Sequence, residues 1–158
     1  MASKIAMLST VAQPHVRQQN QQSRYVMTTA RPFLMFQGGV AQAALDLYFS
    51  TFPDSGIVRI EKYTEGEPGP VGTIKVAVFT LCGREFMCSD SPIEHEFSFT
   101  PSSSIFVEFN LLEELERVFK ILSEEGDVLM PLDNYGFSQK FGWVNNRFGV
   151  SWQLNLAA

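Results

Sequence analysis

Two periods of apolar and polar residues succeed one another along this chain. Phe33-Leu34-Met35-Phe36 is a short continuous apolar run stopped by Gly38-Gly39, which predicts a buried strand. Leu45, Tyr48, Phe49 and Phe52 then recur at helical spacing, with Asp46 and Ser50 on the opposite side. They predict an amphipathic helix, ended by Pro53-Asp54-Ser55-Gly56. Strand-like runs follow at Ile57–Ile60, Gly72–Leu81 and Glu85–Cys88. Glu65–Pro70 reads as a loop and Cys82-Gly83 as a tight turn.

The second half repeats this order. Ser104–Phe109 reads as a strand, and Asn110 as a helix N-cap answered by Glu113 in a capping box. Leu112, Leu115, Phe119 and Leu122 form the apolar face of the helix, and Gly126 is the expected left-handed C-cap. Strands are expected at Val128–Leu132, Lys140–Val144 and Val150–Leu156, with a loop at Asp133–Ser138 and a turn at Asn145-Asn146-Arg147. A displacement of 70 residues lays Leu45 on Leu115, Phe49 on Phe119, Gly56 on Gly126 and Val58 on Val128. A strand-helix-strand order written twice at one offset indicates internal duplication.

The expected organisation is a flexible tail over residues 1–30, a first β-α-β-β-β unit over 31–90, a connector over 91–102 and a second unit over 103–158. Two curved sheets of this kind, set side by side, would leave a cup for a ligand.

Composition removes several classes. With 17 acidic against 12 basic residues the net charge is −5, which argues against nucleic acid as a partner. No apolar stretch approaches the roughly 18 residues that span a bilayer. Cys82 and Cys88 stand in no Cys/His cluster, so neither a zinc motif nor a disulfide framework is expected, and a reducing cytoplasm fits best. The acid-poor tail, with Lys4, Arg17 and Arg24, also has the composition of an organelle transit peptide.

The segments FLMFQGGV (33–40), LYFSTFPDSGIV (47–58), EFMCSDSP (85–92), FSFTPSSSIFV (97–107) and GDVLMPLDNYGFSQKFGWVNNRFGVSWQLN (126–155) resemble the PhnB-like proteins. These carry the label 3-demethylubiquinone-9 3-methyltransferase domain and sit with the glyoxalase, bleomycin-resistance and dioxygenase proteins of the vicinal-oxygen-chelate superfamily. The resemblance implies an α+β fold of paired βαβββ modules. It also implies a homodimer, often with modules exchanged between chains. The label's chemistry meets an obstacle in the residues. Gly38-Gly39 lacks the GxGxxG spacing, and the strand order does not suit a doubly wound methyltransferase sheet.

Metal-dependent relatives place ligands on the first and last strand of each module. Carried onto this sequence, those positions fall on Phe33 or Leu34, Glu85, Ser104 and Gln153. Only Glu85 and Gln153 are useful donors, too few for a hard or borderline ion, so no metal and no cofactor are expected. His15 lies in the tail, and His95 lies between Glu94 and Glu96, which would raise its pKa at close range. Cys88 reads as a small buried residue, and Cys82 has no activating neighbour apart from Arg84.

The expected ligand-binding residues are Met35, Glu108, Phe137, Phe141, Trp143, Trp152 and Gln153, suited to a small, partly apolar or aromatic molecule. Phe137 stands out because it sits in a polar loop. The leading expectation is a metal-free binding or sequestering module. The alternatives are a metal-dependent enzyme of the same superfamily, with Glu85 or Gln153 as ligands, and methyl transfer to a quinone-like ring.

Overall fold

The computed structural model describes residues 28–157. The expected tail lies almost wholly outside them, as does His15. The elements in chain order are β1 (Phe33–Phe36), α1 (Ala41–Thr51), β2 (Gly56–Lys62), β3 (Ile74–Leu81), β4 (Arg84–Asp90), β5 (Ser104–Phe109), α2 (Leu112–Ser123), β6 (Asp127–Asp133), β7 (Phe141–Asn145) and β8 (Ser151–Leu156). They build two four-stranded mixed sheets of identical order, β1-β4-β3-β2 and β5-β8-β7-β6. In each, the first strand runs parallel to the last and the other pairs are antiparallel. This is the paired βαβββ arrangement expected from the repeat.

Burial follows the 70-residue offset. Leu45 and Leu115 are both buried, as are Tyr48 and Val118, and Phe52 and Leu122, while Phe49 and Phe119 are both partly covered. One apolar cluster runs through both units. Its joint is Trp152, fully buried on β8, which stacks on Phe52 at 5.1 Å and meets the edge of Tyr48 at 5.0 Å. The shared core thus lies on the helix side of both sheets. The opposite faces are open in a single chain: Phe33 is 52% and Phe106 54% exposed.

Two cap expectations are corrected. Asn110 is not the N-cap of α2. That position is Leu111, extended at φ −124°, with no side-chain cap bond, and the helix instead places Glu113 and Glu114 in its first turn, where carboxylates meet the positive end of the helix dipole. Gly126 does not take the left-handed conformation, which falls on Glu125 at φ 57°. Glycine is needed at 126 for closeness instead, because a Cβ there would stand 2.3 Å from the Asn145 carbonyl. Gly142 plays a similar part on β7, where a Cβ would stand 2.6 Å from the Phe119 ring. Its absence lets α2 lie close on the sheet.

Candidate functional site

Strand registers decide which side chains share the open faces, because paired residues point the same way and neighbours in sequence point oppositely. On the first sheet one row runs Arg59–Val78–Met87–Phe33, and beside it Glu61 pairs with Val76 and Met35 with Ser89. On the second sheet the rows are Asp127–Asn145–Ser151–Ser104, Met130–Trp143–Gln153–Phe106 and Asp133–Phe141–Asn155–Glu108.

Four of the expected binding residues therefore stand on open faces: Met35 on the first sheet and Glu108, Trp143 and Gln153 on the second. Phe141 shares the second sheet's face but is buried, with the rings of Tyr135 and Phe137 edge-on against it. Trp152 does not join them. It is one position along β8 from Gln153, and the alternation turns it into the core.

The Trp143 ring is held by its own N–H, which donates to Ser151 Oγ at 2.8 Å. Ser151 Oγ in turn meets Ser104 Oγ at 2.8 Å. Beyond Phe141 the loop 134–140 is pinned by local bonds. Asn134 N donates to Asp133 Oδ1 (2.7 Å), Gly136 N donates to Asn134 Oδ1 (2.8 Å) and the Tyr135 hydroxyl donates to the Pro131 carbonyl (2.9 Å). This frame holds Phe137 in water, 69% exposed, edge-on to Phe141 at 5.1 Å and parallel to Tyr135 at 6.1 Å.

Glu85 stands at the start of β4, where Arg31 Nε donates to it at 2.5 Å. With Phe106 and Glu108 it lines a groove of about 920 Å³ along the seam between the two sheets. At the centre of the open faces the register sets Phe33, Met87 and Val78 on one sheet and Phe106, Gln153 and Trp143 on the other. One amide oxygen among six such side chains does not fit a hard divalent ion, which takes several nitrogen or oxygen donors. Among the described residues no three His, Cys, Asp or Glu side chains converge.

Sequence reasoning missed Asp90. Its carboxylate is buried and accepts from Ala41 N and Ile74 N, both at 2.9 Å. It therefore occupies the positive N-terminus of α1, the place where a nucleotide phosphate or carboxylate would dock on a glycine-rich turn. Its partners lie 49 and 16 residues away, so no local pattern signalled it. His95 lies in the connector beside a neighbouring cavity of about 700 Å³. Its Nε2 is 2.9 Å from Ser91 Oγ, its ring stacks on Phe97, and its backbone N donates to Gln37 Oε1 at 2.6 Å. Cys88 is buried and Cys82 exposed; both are free thiols. Burial pushes the Cys82 thiol above its usual range, with Asp54 adding to the effect, so it is not an activated nucleophile.

Paired four-stranded mixed sheets of this order define the vicinal-oxygen-chelate class. Solved structures agree: the PhnB protein from Bacillus cereus is 49% identical, covers 82% of this chain and all of its own, and superposes with a TM-score of 0.79. Protein PA1353 from Pseudomonas aeruginosa is 26% identical over 82% of this chain and 98% of its own, with a TM-score of 0.69. The fosfomycin resistance protein FosX of Listeria monocytogenes, solved with Mn(II), shares the fold at 10% identity and a TM-score of 0.56, over 84% of this chain and 94% of its own. The chain belongs to the family described as 3-demethylubiquinone-9 3-methyltransferase, the PhnB-like branch of that class, which matches residues 28–155. Protein YjdN of Escherichia coli (strain K12) is 26% identical over 137 residues, 79% of this chain and 92% of its own. No helix among the described residues is long and apolar enough to cross a membrane.

Proposed function

We propose that this chain is a metal-free module that binds or sequesters a small, partly apolar molecule, and that it works as a homodimer in a reducing cytoplasm. The observation that carries the reading is the make-up of the open faces. Rings, methyls and one amide stand where a metal enzyme needs chelating groups, and Phe33 and Phe106 remain half exposed in one chain. A second copy would cover them and close a cup over Met35, Trp143 and Gln153, with or without exchange of modules. Apolar patches left open in a monomer commonly mark such contacts.

The reading is tested by metal analysis of the purified chain after exchange into Ni²⁺ or Mn²⁺, together with titration by a naphthol. Saturable quenching of Trp143, with less than a tenth of an ion per chain, is the expected result. Near one tightly held ion per chain would instead support the metal-dependent alternative, with Glu85 or Gln153 among its ligands. Sedimentation should give a dimer that Phe33→Asp or Phe106→Asp weakens. Methyl transfer rests on the family's description alone. Because Asp90 fills the start of α1, S-adenosylmethionine should leave the melting temperature unchanged. A tight ligand would raise apparent stability by about 4 kcal/mol at roughly 1,000-fold over its dissociation constant.

A further inference from the structure

A cavity of about 590 Å³ lies between the edge strands β1 and β5, and no charged side chain lines it. Its polar side chains are the hydroxyls of Ser98, Thr100, Ser103, Ser104 and Ser151. Its apolar wall includes the rings of Phe33, Phe86, Phe99 and Phe106. Arg31, Arg84, Glu85 and Glu108 line only the neighbouring groove. An ion entering this cavity would give up hydration without meeting a countercharge. The lining therefore selects an uncharged molecule with an aromatic or hydrocarbon body.

The direction of the hydrogen bonds decides what such a molecule must bring. An indole N–H only donates and a carbonyl only accepts. Trp143 Nε1 donates to Ser151 Oγ at 2.8 Å, and Ser104 Oγ donates to the Pro101 carbonyl at 3.2 Å. The 2.8 Å bond between the two hydroxyls must then run from Ser151 to Ser104, because each serine has a single hydrogen. Both hydrogens are in use. Each oxygen keeps a lone pair and has no donor to offer. Ser151 is buried, so Ser104, only partly covered, presents its lone pair to the cavity. Further along the same row Asn145, paired with Ser151, has an Oδ1 that is buried and without a partner among the described residues. The row is short of donors, not of acceptors.

We propose that the cavity between β1 and β5 takes a neutral phenol. The phenylalanines cover its ring, and its hydroxyl donates to Ser104 Oγ. Ser151 and Trp143 act behind Ser104 as positioning residues, because their hydrogen bonds fix which way its hydroxyl points. This deepens the small-molecule reading above and rests on it. It narrows the ligand from partly apolar to an uncharged aromatic hydrogen-bond donor. An ether or ketone of the same shape would leave the Ser104 lone pair unmet, and a carboxylate would set negative charge against it.

The test compares three probes of similar size on the full chain at neutral pH by titration calorimetry: a naphthol, its methyl ether and the corresponding naphthoate. The naphthol should bind about tenfold more tightly than the ether, the size of one neutral hydrogen bond, and the naphthoate should bind most weakly. Ser104→Ala should cut that preference to about twofold and leave the affinity for the ether unchanged. Ser104→Thr keeps the oxygen and should keep the preference. The ratio of the two affinities is read on folded protein, so a lower melting temperature alone does not move it. Equal affinity for naphthol and ether would leave the lone pairs to water and overturn the phenol site, with the small-molecule reading still standing. Tighter binding of the naphthoate, or a preference unchanged in Ser104→Ala, would overturn it too. If none of the three probes saturates, the broader reading falls with it.

Discussion

Asn146 Nδ2 donates a 3.0 Å hydrogen bond to the hydroxyl of Tyr48, joining the β7–β8 turn to α1 across 98 positions of sequence. The same Asn146 accepts from Phe148 N and Val150 N at 3.1 Å through its oxygen, so one side chain both shapes its own turn and ties the two units together. Tyr48→Phe leaves the buried amide short of a partner and should cost about 1–2 kcal/mol in urea unfolding. Asn146→Ala removes the turn bonds as well and should cost more. A double-mutant cycle of the pair should show positive coupling.

Alkaline pH should loosen the fold. Burial holds the Tyr48 hydroxyl above its ordinary range, against a smaller opposing effect of the Asn146 bond. Burial, with Asp90 adding to it, pushes the Cys88 thiol up to about 12. Both groups stay protonated in the folded state at pH values where the unfolded chain releases the proton. Their contribution is therefore complete below the unfolded pKa and is lost as pH rises through the folded one. The unfolding free energy from urea titrations should hold near neutrality and fall from about pH 9 upward, with a slope approaching about 1.4 kcal/mol per pH unit for each group. Cys88→Ala should flatten the first part of that fall.

Asp90→Ala should be among the most damaging single changes. It strips two buried backbone N–H groups of their acceptor, Ala41 N on α1 and Ile74 N on β3. The expected loss is about 3 kcal/mol. Asp90→Asn keeps one acceptor oxygen and should lose less. Hydrogen exchange read at Ala41 and Ile74 would separate this local effect from general destabilisation.

The two close-contact glycines should respond differently to repair. Gly142→Ala presses a Cβ into the ring of Phe119 and the side chain of Leu132, a clash of the kind that costs about 1–3 kcal/mol. Trimming the ring with Phe119→Leu should recover part of it. Gly126→Ala meets the backbone oxygen of Asn145, which no side-chain change can move, so no such partner should rescue it. Thermal melts of the singles and doubles decide the matter.

The fold was legible because its signals are local. The faces Leu45–Phe52 and Leu115–Leu122 are helical periods written in adjacent residues, and their common offset needs no knowledge of contacts. The site was harder. Trp143 and Trp152 look alike in sequence, yet one faces solvent and the other the core, because a single-residue step along a strand flips the face. Asp90 was invisible as a cap because its partners lie 49 and 16 residues away. Asn110 had the right chemistry for a cap and stood one position too early.

The insertion of Trp152 between Tyr48 and Phe52 also bears on how the duplication behaves as a whole. Neither repeat owns a finished interior, since the indole of one is wrapped by the helix of the other. The two halves should melt in one transition despite being separate sheets. A fragment ending in the connector should associate with the remainder when the two are made together, and each should precipitate when made alone.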